Sequence, residues 1–288
     1  MDSLYYKASG KAPISGILLM LIGGTIAGIL LSIVYIALQW FIPFIYLNLF
    51  IAIGFGIGTY MALVFLLKKG KVRNPSIAVA IAFIVTIISY YSQWALYLSL
   101  LLQSSGGGSF FVKTSFNLDT FLYEFMHPFD IMNNIKTLVG IGTFTLKGSV
   151  VKGGFLVFIW IIEALLIIAI APIFISGNAK EPFSELQDNW MEEKTLPINL
   201  KFIEKENLQN FKNELEKGNY LPLLELKNND NPNKYAVLKT YSIDGDDKQF
   251  LSIENVEITY NSKNEEKKDE TDVIKYLQIA TSDLSALV

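Results

Sequence analysis

The sequence predicts an α-helical membrane bundle of four transmembrane helices, with outer amphipathic helices, followed by a C-terminal soluble α+β domain. Three observations carry this. Apolar runs of about 20 residues, long enough to cross a bilayer, occur four times before residue 177. Charge is unevenly divided: residues 1–176 hold 10 Lys+Arg and 5 Asp+Glu, so +5, while residues 177–288 hold 14 and 22, so −8. After Ser176 the long apolar runs give way to short alternating segments broken by turn clusters.

The expected spans are 14–39, 47–67, 76–102 and 154–175, which makes residues 1–176 a transmembrane domain and 177–288 a soluble one. The first run is too long for a signal-peptide core and lacks a small-x-small cleavage site, so it is read as a retained helix. Lys7 and Lys11 flank it, and KKGKVRNP between spans two and three packs Lys68, Lys69, Lys71 and Arg73 together. WFIPFIY between spans one and two has no charge. By the bias of basic residues toward the cytoplasm, the N-terminus and the basic loop lie inside, against anionic lipid. An even number of spans then returns the C-terminal domain to the cytoplasm. Trp40, Phe41, Phe44, Tyr46, Tyr90, Tyr91, Trp94, Tyr97, Phe155, Phe158 and Trp160 fall in the outer half, where aromatic rings favour the headgroup level.

The segment 103–153 lies outside in this reading. QSSGGGS is a turn. FNLDTFLYEFMHPFDIMNNIKTLVGIG has helical spacing at Phe121, Leu122, Phe125, Phe129, Met132 and Ile135, with Pro128 opening a second short helix or kinking the first. TFTLKGSVVKGG leads into span four, with Lys147 and Lys152 near the headgroups.

In the soluble part, GNAKEPFSELQDNWMEEKT reads as an acidic linker or helix. LPINLKFI, YLPLLELK, KYAVLKTYSI, QFLSIENVEITY and DVIKYLQIA read as strands. ENLQNFKNELEKGN reads as a helix with Leu208, Phe211 and Leu215 on one face and Gly218 at its end. DGDDK lacks the later ligands of a calcium loop and reads as a hairpin turn. NSKNEEKKDE reads as a turn cluster.

Composition excludes several chemistries. The chain has no Cys, hence no disulfide, thiolate or Cys-ligated metal, and one His, His127, hence no multi-His metal site within one chain. No phosphate-binding loop is present, and no catalytic, metal or cofactor residue is assigned. The acidic soluble part opposes nucleic-acid binding. All the basic residues but Arg73 are Lys, a bias of AT-rich bacterial genomes.

The candidate site is Glu163 in the last span. An ionisable group at bilayer depth costs several kcal/mol unless paired. Counted from the outer span ends, Gln93 and Ser32 share its depth, with Ser89 and Tyr35 nearby. Two roles stay open: a hydrogen-bonded group that pairs helices or contacts another subunit, or an ion, proton or polar-ligand site. Gly24, Gly28 and Ser32, and Gly54, Gly58 and Ala62, recur every four residues and allow close backbone approach. They pack spans one and two together, or form a homodimer face.

The runs FIPFIYLNL…GKVRNP and LKGSVVKGGFLVFIWIIEALLI resemble a family of bacterial multi-pass inner-membrane proteins without a known activity. The resemblance covers roughly residues 1–176 and implies that Lys147 to Glu163 form one structural unit. It implies no cofactor and no catalytic residue.

The function expected is not enzymatic. The chain reads as a scaffold or accessory subunit of the bacterial inner membrane, whose acidic cytoplasmic domain binds a protein partner within a membrane complex. The alternative is a small transporter or channel subunit with Glu163, Gln93 and Ser32 as its intramembrane polar site. An enzyme at the outer surface would have only His127, Asp119, Glu124 and Asp130 to work with.

Overall fold

Among the described residues, four helices are long and apolar enough to cross a membrane: Ile14–Phe41, Leu47–Lys69, Pro75–Leu102 and Gly154–Asn178. Their ends fall within three residues of the expected spans. They belong to a computed structural model that describes residues 4–42, 45–104, 115–146, 148–197, 200–227 and 229–280, the side chains of 45 and 46 excepted. Most of QSSGGGS, part of WFIPFIY, Lys147 and part of LPINLKFI lie outside the described residues.

The first apolar helix consists of α1 (Ile14–Leu18), a π-helical stretch (Leu19–Gly23) and α2 (Gly24–Phe41). Then come α3 (Ile45–Lys69) and α4 (Pro75–Leu102). The amphipathic pair is α5 (Leu118–Met126) and α6 (Pro128–Ile141), with Pro128 in the first turn of α6. A hairpin of β1 (Phe144–Leu146) and β2 (Ser149–Val151), not anticipated from TFTLKGSVVKGG, precedes α7 (Gly154–Asn178).

The chain divides into two units, Gly10–Ala179 and Lys180–Val288 with Met1–Ser9. The expected boundary after residue 176 therefore moves three residues on, and the N-terminal residues belong with the second unit.

Large apolar side chains point outward all around the first unit, among them Ile22, Ile26, Phe50, Phe65, Leu165 and Ile173. This inverts the pattern of a water-soluble protein and suits a hydrocarbon solvent. Inside, Thr59, Thr86, Ser89 and Ser92 donate to carbonyls of their own helices. α7 contains Pro172, which has no N–H to give the carbonyl of Ile168. The Thr86 hydroxyl of α4 reaches that carbonyl at 3.2 Å.

The small-residue stripes have partners other than those expected. A methyl group at Gly28 would overlap the Ser89 side chain of α4, and one at Gly24 would press on Leu63 of α3 and Val85 of α4. Gly58 faces Leu31 of α2, whereas nothing lies within 4 Å of Gly54. The tight contact of α3 falls instead at Gly56, against the Leu166 carbonyl and Ile170 of α7. The α2 stripe thus packs largely against α4, because the side chain opposite Gly28 is the small Ser89.

At the other end of α3, Gly70 meets Gly16 backbone to backbone with no room for a Cβ on either. The turn then folds onto the residues before α1. Arg73 N donates to the Lys11 carbonyl at 2.8 Å, and Asn74 Nδ2 donates to that of Gly10 at 2.9 Å. Asn74 Oδ1 also caps α4 by accepting from Ile77 N at 3.1 Å. Arg73 is only 4% exposed, so protein rather than lipid covers it, contrary to expectation. Lys69 is exposed, and Lys68 and Lys71 are half-buried.

The second unit is a five-stranded antiparallel sheet of β5 (Glu192–Thr195), β6 (Leu200–Lys201), β7 (Lys234–Ser242), β8 (Gln249–Tyr260) and β9 (Glu266–Ile279). Its order is β5-β7-β8-β9, with β6 also on β7. A hairpin of β3 (Phe183–Ser184) and β4 (Asn189–Trp190) occupies the stretch expected as an acidic linker or helix. α8 (Lys205–Glu216) buries Phe211 and Leu215 in the main core, with Leu208 packed against it, and Gly218 follows at φ +81°. YLPLLELK is not a strand: Pro222 opens the short helix α9 (Leu221–Glu225). NSKNEEKKDE contributes its last residues to β9, since the β8–β9 turn needs only its first half. DGDDK is the β7–β8 turn, with Gly245 at φ +82°. Residues 4–6 line the free edge of β9. Tyr5 pairs with Leu277, Tyr6 N donates to the Tyr276 carbonyl at 2.9 Å, and Gln278 N donates to that of Leu4 at 2.8 Å.

Candidate functional site

Away from the Lys68–Asn74 turn, α2 ends, α3 begins, α4 ends and α7 begins at one end of the bundle. Tyr35 and Gln39 lie one turn apart on α2, and both are hydrogen-bonded to Glu163 of α7. Gln39 Nε2 is 3.2 Å from Glu163 Oε1 and 2.6 Å from Tyr35 Oη. These partners are neutral.

Glu163 opens onto a cavity of about 360 Å³. Its polar wall is Glu163, Gln39, Gln93 and Asn48, with Thr143 at the approach from α6 to β1. Its aromatic wall is Trp40, Trp94, Tyr97, Trp160 and Phe144. Among the described residues no Lys or Arg is part of the lining. Gln93 is only 6% exposed, and among the described residues its side chain makes no hydrogen bond. Asn48 Oδ1 is buried without a partner. A buried amide oxygen without a donor is costly, and of the two residues it is Asn48 that carries one.

The rings are set nearly at right angles. Trp94 and Trp160 meet edge to face at 4.9 Å and 85°, Trp94 and Tyr97 at 6.0 Å and 87°. Trp40 adjoins Tyr97 at 6.3 Å. The expectation for Trp94, Tyr97 and Trp160 concerned depth alone; in the structure they face one another around the cavity. Phe41, Phe155 and Phe158 do point outward.

Of the expected trio, Gln93 shares the cavity with Glu163, while Ser32 does not reach it. Ser32 Oγ donates to the Ile29 carbonyl of its own helix at 2.7 Å. Ser89 likewise bonds Val85, so neither hydroxyl partners Glu163. Gln39 and Asn48 were missed. Their only signal in the sequence is that each is an amide inside an apolar run.

A second polar group sits on α5 and α6. His127 closes α5, its Nδ1 2.6 Å from the Tyr123 carbonyl and its ring stacked on Tyr123 at 4.1 Å. The Tyr123 hydroxyl donates to Asp130 at 3.1 Å. Glu124, 2% exposed, has its carboxyl raised above the ordinary range by burial first and by Asp130 second. Tyr91 of α4 ties α5 down by donating to the Phe125 carbonyl at 2.7 Å. These bonds serve the helix junction. Among the described residues, no group of three or more His, Cys, Asp or Glu is placed to hold a metal.

Comparison of the chain with protein-family models, with curated proteins and with solved structures gives no match.

Proposed function

We propose that the chain is a multi-pass protein of the bacterial inner membrane that binds a small solute beside Glu163, as a transporter or channel subunit does. The observation that carries this is the cavity: the only acidic residue of the four apolar helices opens onto about 360 Å³ of space lined by the amides of Gln39, Gln93 and Asn48. A carboxylate serving helix packing alone would be closed in by its partners. The volume lies at the small end of ligand pockets. In this reading the N-terminus and the soluble unit are cytoplasmic, on the side of Lys68, Lys69 and Lys71, and the cavity belongs to the outer half of the membrane.

The test is a melting-temperature screen of the purified chain in detergent against classes of small solutes: amines, carboxylates, sugars and inorganic ions. A bound solute raises the midpoint in proportion to the logarithm of its concentration over Kd. At least one class should stabilise the wild type, and the gain should vanish in Gln93→Phe, which fills the cavity. No class acting, or an undiminished gain in Gln93→Phe, would sink the reading.

A second reading is a scaffold role, supported by the −8 charge of residues 177–288. A basic protein partner would then be retained on the full-length protein at low salt and released as salt screens the attraction.

A further inference from the structure

We propose that the occupant of the Glu163 cavity is a protonated amine with a small apolar body. This rests on the reading of the cavity as a solute site and names the chemical class of the solute.

Charge comes first. Among the described residues the wall holds one carboxylate and no Lys or Arg, and the two side chains bonded to Glu163 are neutral. In a low-dielectric bundle a carboxylate stays ionised only beside a cation, so a cationic solute is the partner that would hold Glu163 charged. An anionic solute has nothing to pair with.

The walls then separate organic from inorganic cations. A hard metal ion takes six or more oxygens at short range. Here the acceptors are few, and much of the remaining lining is Trp40, Trp94, Tyr97 and Trp160. Aromatic faces attract ammonium groups, Trp most strongly. Trp94 stands at 85° to Trp160 and at 87° to Tyr97, so rings of different orientation border the one cavity.

The amides narrow the class further. Gln93 and Asn48 line the cavity, and among the described residues the Asn48 oxygen has no donor. A quaternary ammonium has no N–H to offer it. A primary or secondary ammonium donates to Glu163 and to this oxygen at once, while its carbon body lies on the indoles.

The chain carries its own reporter, because three of its four Trp line the cavity and the fourth, Trp190, is in the other unit. A Trp190→Phe background makes tryptophan fluorescence specific to the site. Three probes share one body: phenethylamine, phenethyl alcohol and phenylacetate. At pH 7 the amine is protonated. Saturable quenching is expected with phenethylamine, and roughly tenfold or weaker binding with the other two. Glu163→Gln should bring amine affinity down to that of the alcohol. Equal binding of amine and alcohol by the wild type would overturn the amine assignment while leaving a solute site standing. Binding of none of the three, with no solute class raising the melting temperature, would remove both. The amine–alcohol comparison uses no cavity variant, so the test holds even where Glu163→Gln fails to fold.

Discussion

The Thr86 hydroxyl of α4 reaches the Ile168 carbonyl of α7 at 3.2 Å, and that carbonyl is the one Pro172 leaves without an amide. The carbonyls of Ala82 and Phe83 are also in reach, at 2.9 and 3.1 Å. Those two stand inside an unbroken helix and have amide partners, whereas Ile168 has none from its own helix. In hydrocarbon, an orphaned carbonyl is what a neighbouring hydroxyl best relieves.

Thr86→Val should therefore destabilise the bundle by about 1 kcal/mol, the scale of interhelical bonds in membranes. In a Pro172→Ala background the Ile168 carbonyl regains an amide, and the same substitution should cost much less. Unfolding in mixed micelles across the double-mutant cycle measures this coupling. Equal costs in both backgrounds would mean that Thr86 serves only its own helix.

Gly28 and Gly54 look alike in the sequence, each part of a four-residue repeat. A Cβ at Gly28 meets Ser89, whose hydroxyl is tied to the Val85 carbonyl at 2.8 Å, while one at Gly54 meets nothing within 4 Å. Gly28→Ala should cost about 1–3 kcal/mol through overpacking. Gly54→Ala should stay within about 0.5 kcal/mol. Adding Ser89→Gly to Gly28→Ala should recover much of the loss in the same unfolding assay.

The pairing of Tyr5 with Leu277 places residues before the first apolar helix in the same sheet as residues after the last. Both ends then lie on one side of the membrane, which an even number of crossings requires. The chain has no Cys, so single-cysteine variants need no background change. Ser9→Cys and Ser262→Cys should react with an impermeant maleimide from the same side of oriented vesicles, and Thr137→Cys from the other. Labelling of positions 9 and 262 from opposite sides would break the four-span arrangement.

The apolar helices were legible because twenty apolar residues leave few alternatives. Which side chains meet across them was less so. Counting depth from the span ends paired Glu163 with Ser32. Of the observed partners, Tyr35 was named nearby, but Gln39 was not: it sits two residues from the end of α2, while Glu163 sits nine residues into α7. The start of α7 thus overshoots the end of α2 by roughly 10 Å at 1.5 Å per residue. No count on one chain reveals such an offset. The inward turn of Trp94 and Trp160 was hidden similarly, since an aromatic near a span end signals depth but not which face it takes. In the second unit, YLPLLELK reads as a strand from its apolar content, yet Pro222 suits the first turn of a helix.

The last prediction concerns pH. Burial, then the hydrogen bond to Glu216, pushes the Tyr5 hydroxyl up to about 12. Its Oη donates to Glu216 Oε1 at 2.6 Å, so the bond needs the protonated phenol. The folded state holds this proton more tightly than the unfolded chain, where the value is near 10. The stability gained is complete below pH 10 and is lost as pH rises from about 10 through about 12. Tyr241 and Tyr276 are also raised, chiefly by burial, so the wild type alone mixes several titrations. Subtracting the melting midpoint of Tyr5→Phe isolates Tyr5, whose hydroxyl alone is removed while its ring stays against the core. The wild-type advantage should be constant from pH 7 to 9 and shrink toward pH 12. An advantage that grows with pH, or is absent at pH 8, would show that the Tyr5–Glu216 bond does not tie the N-terminal residues to α8.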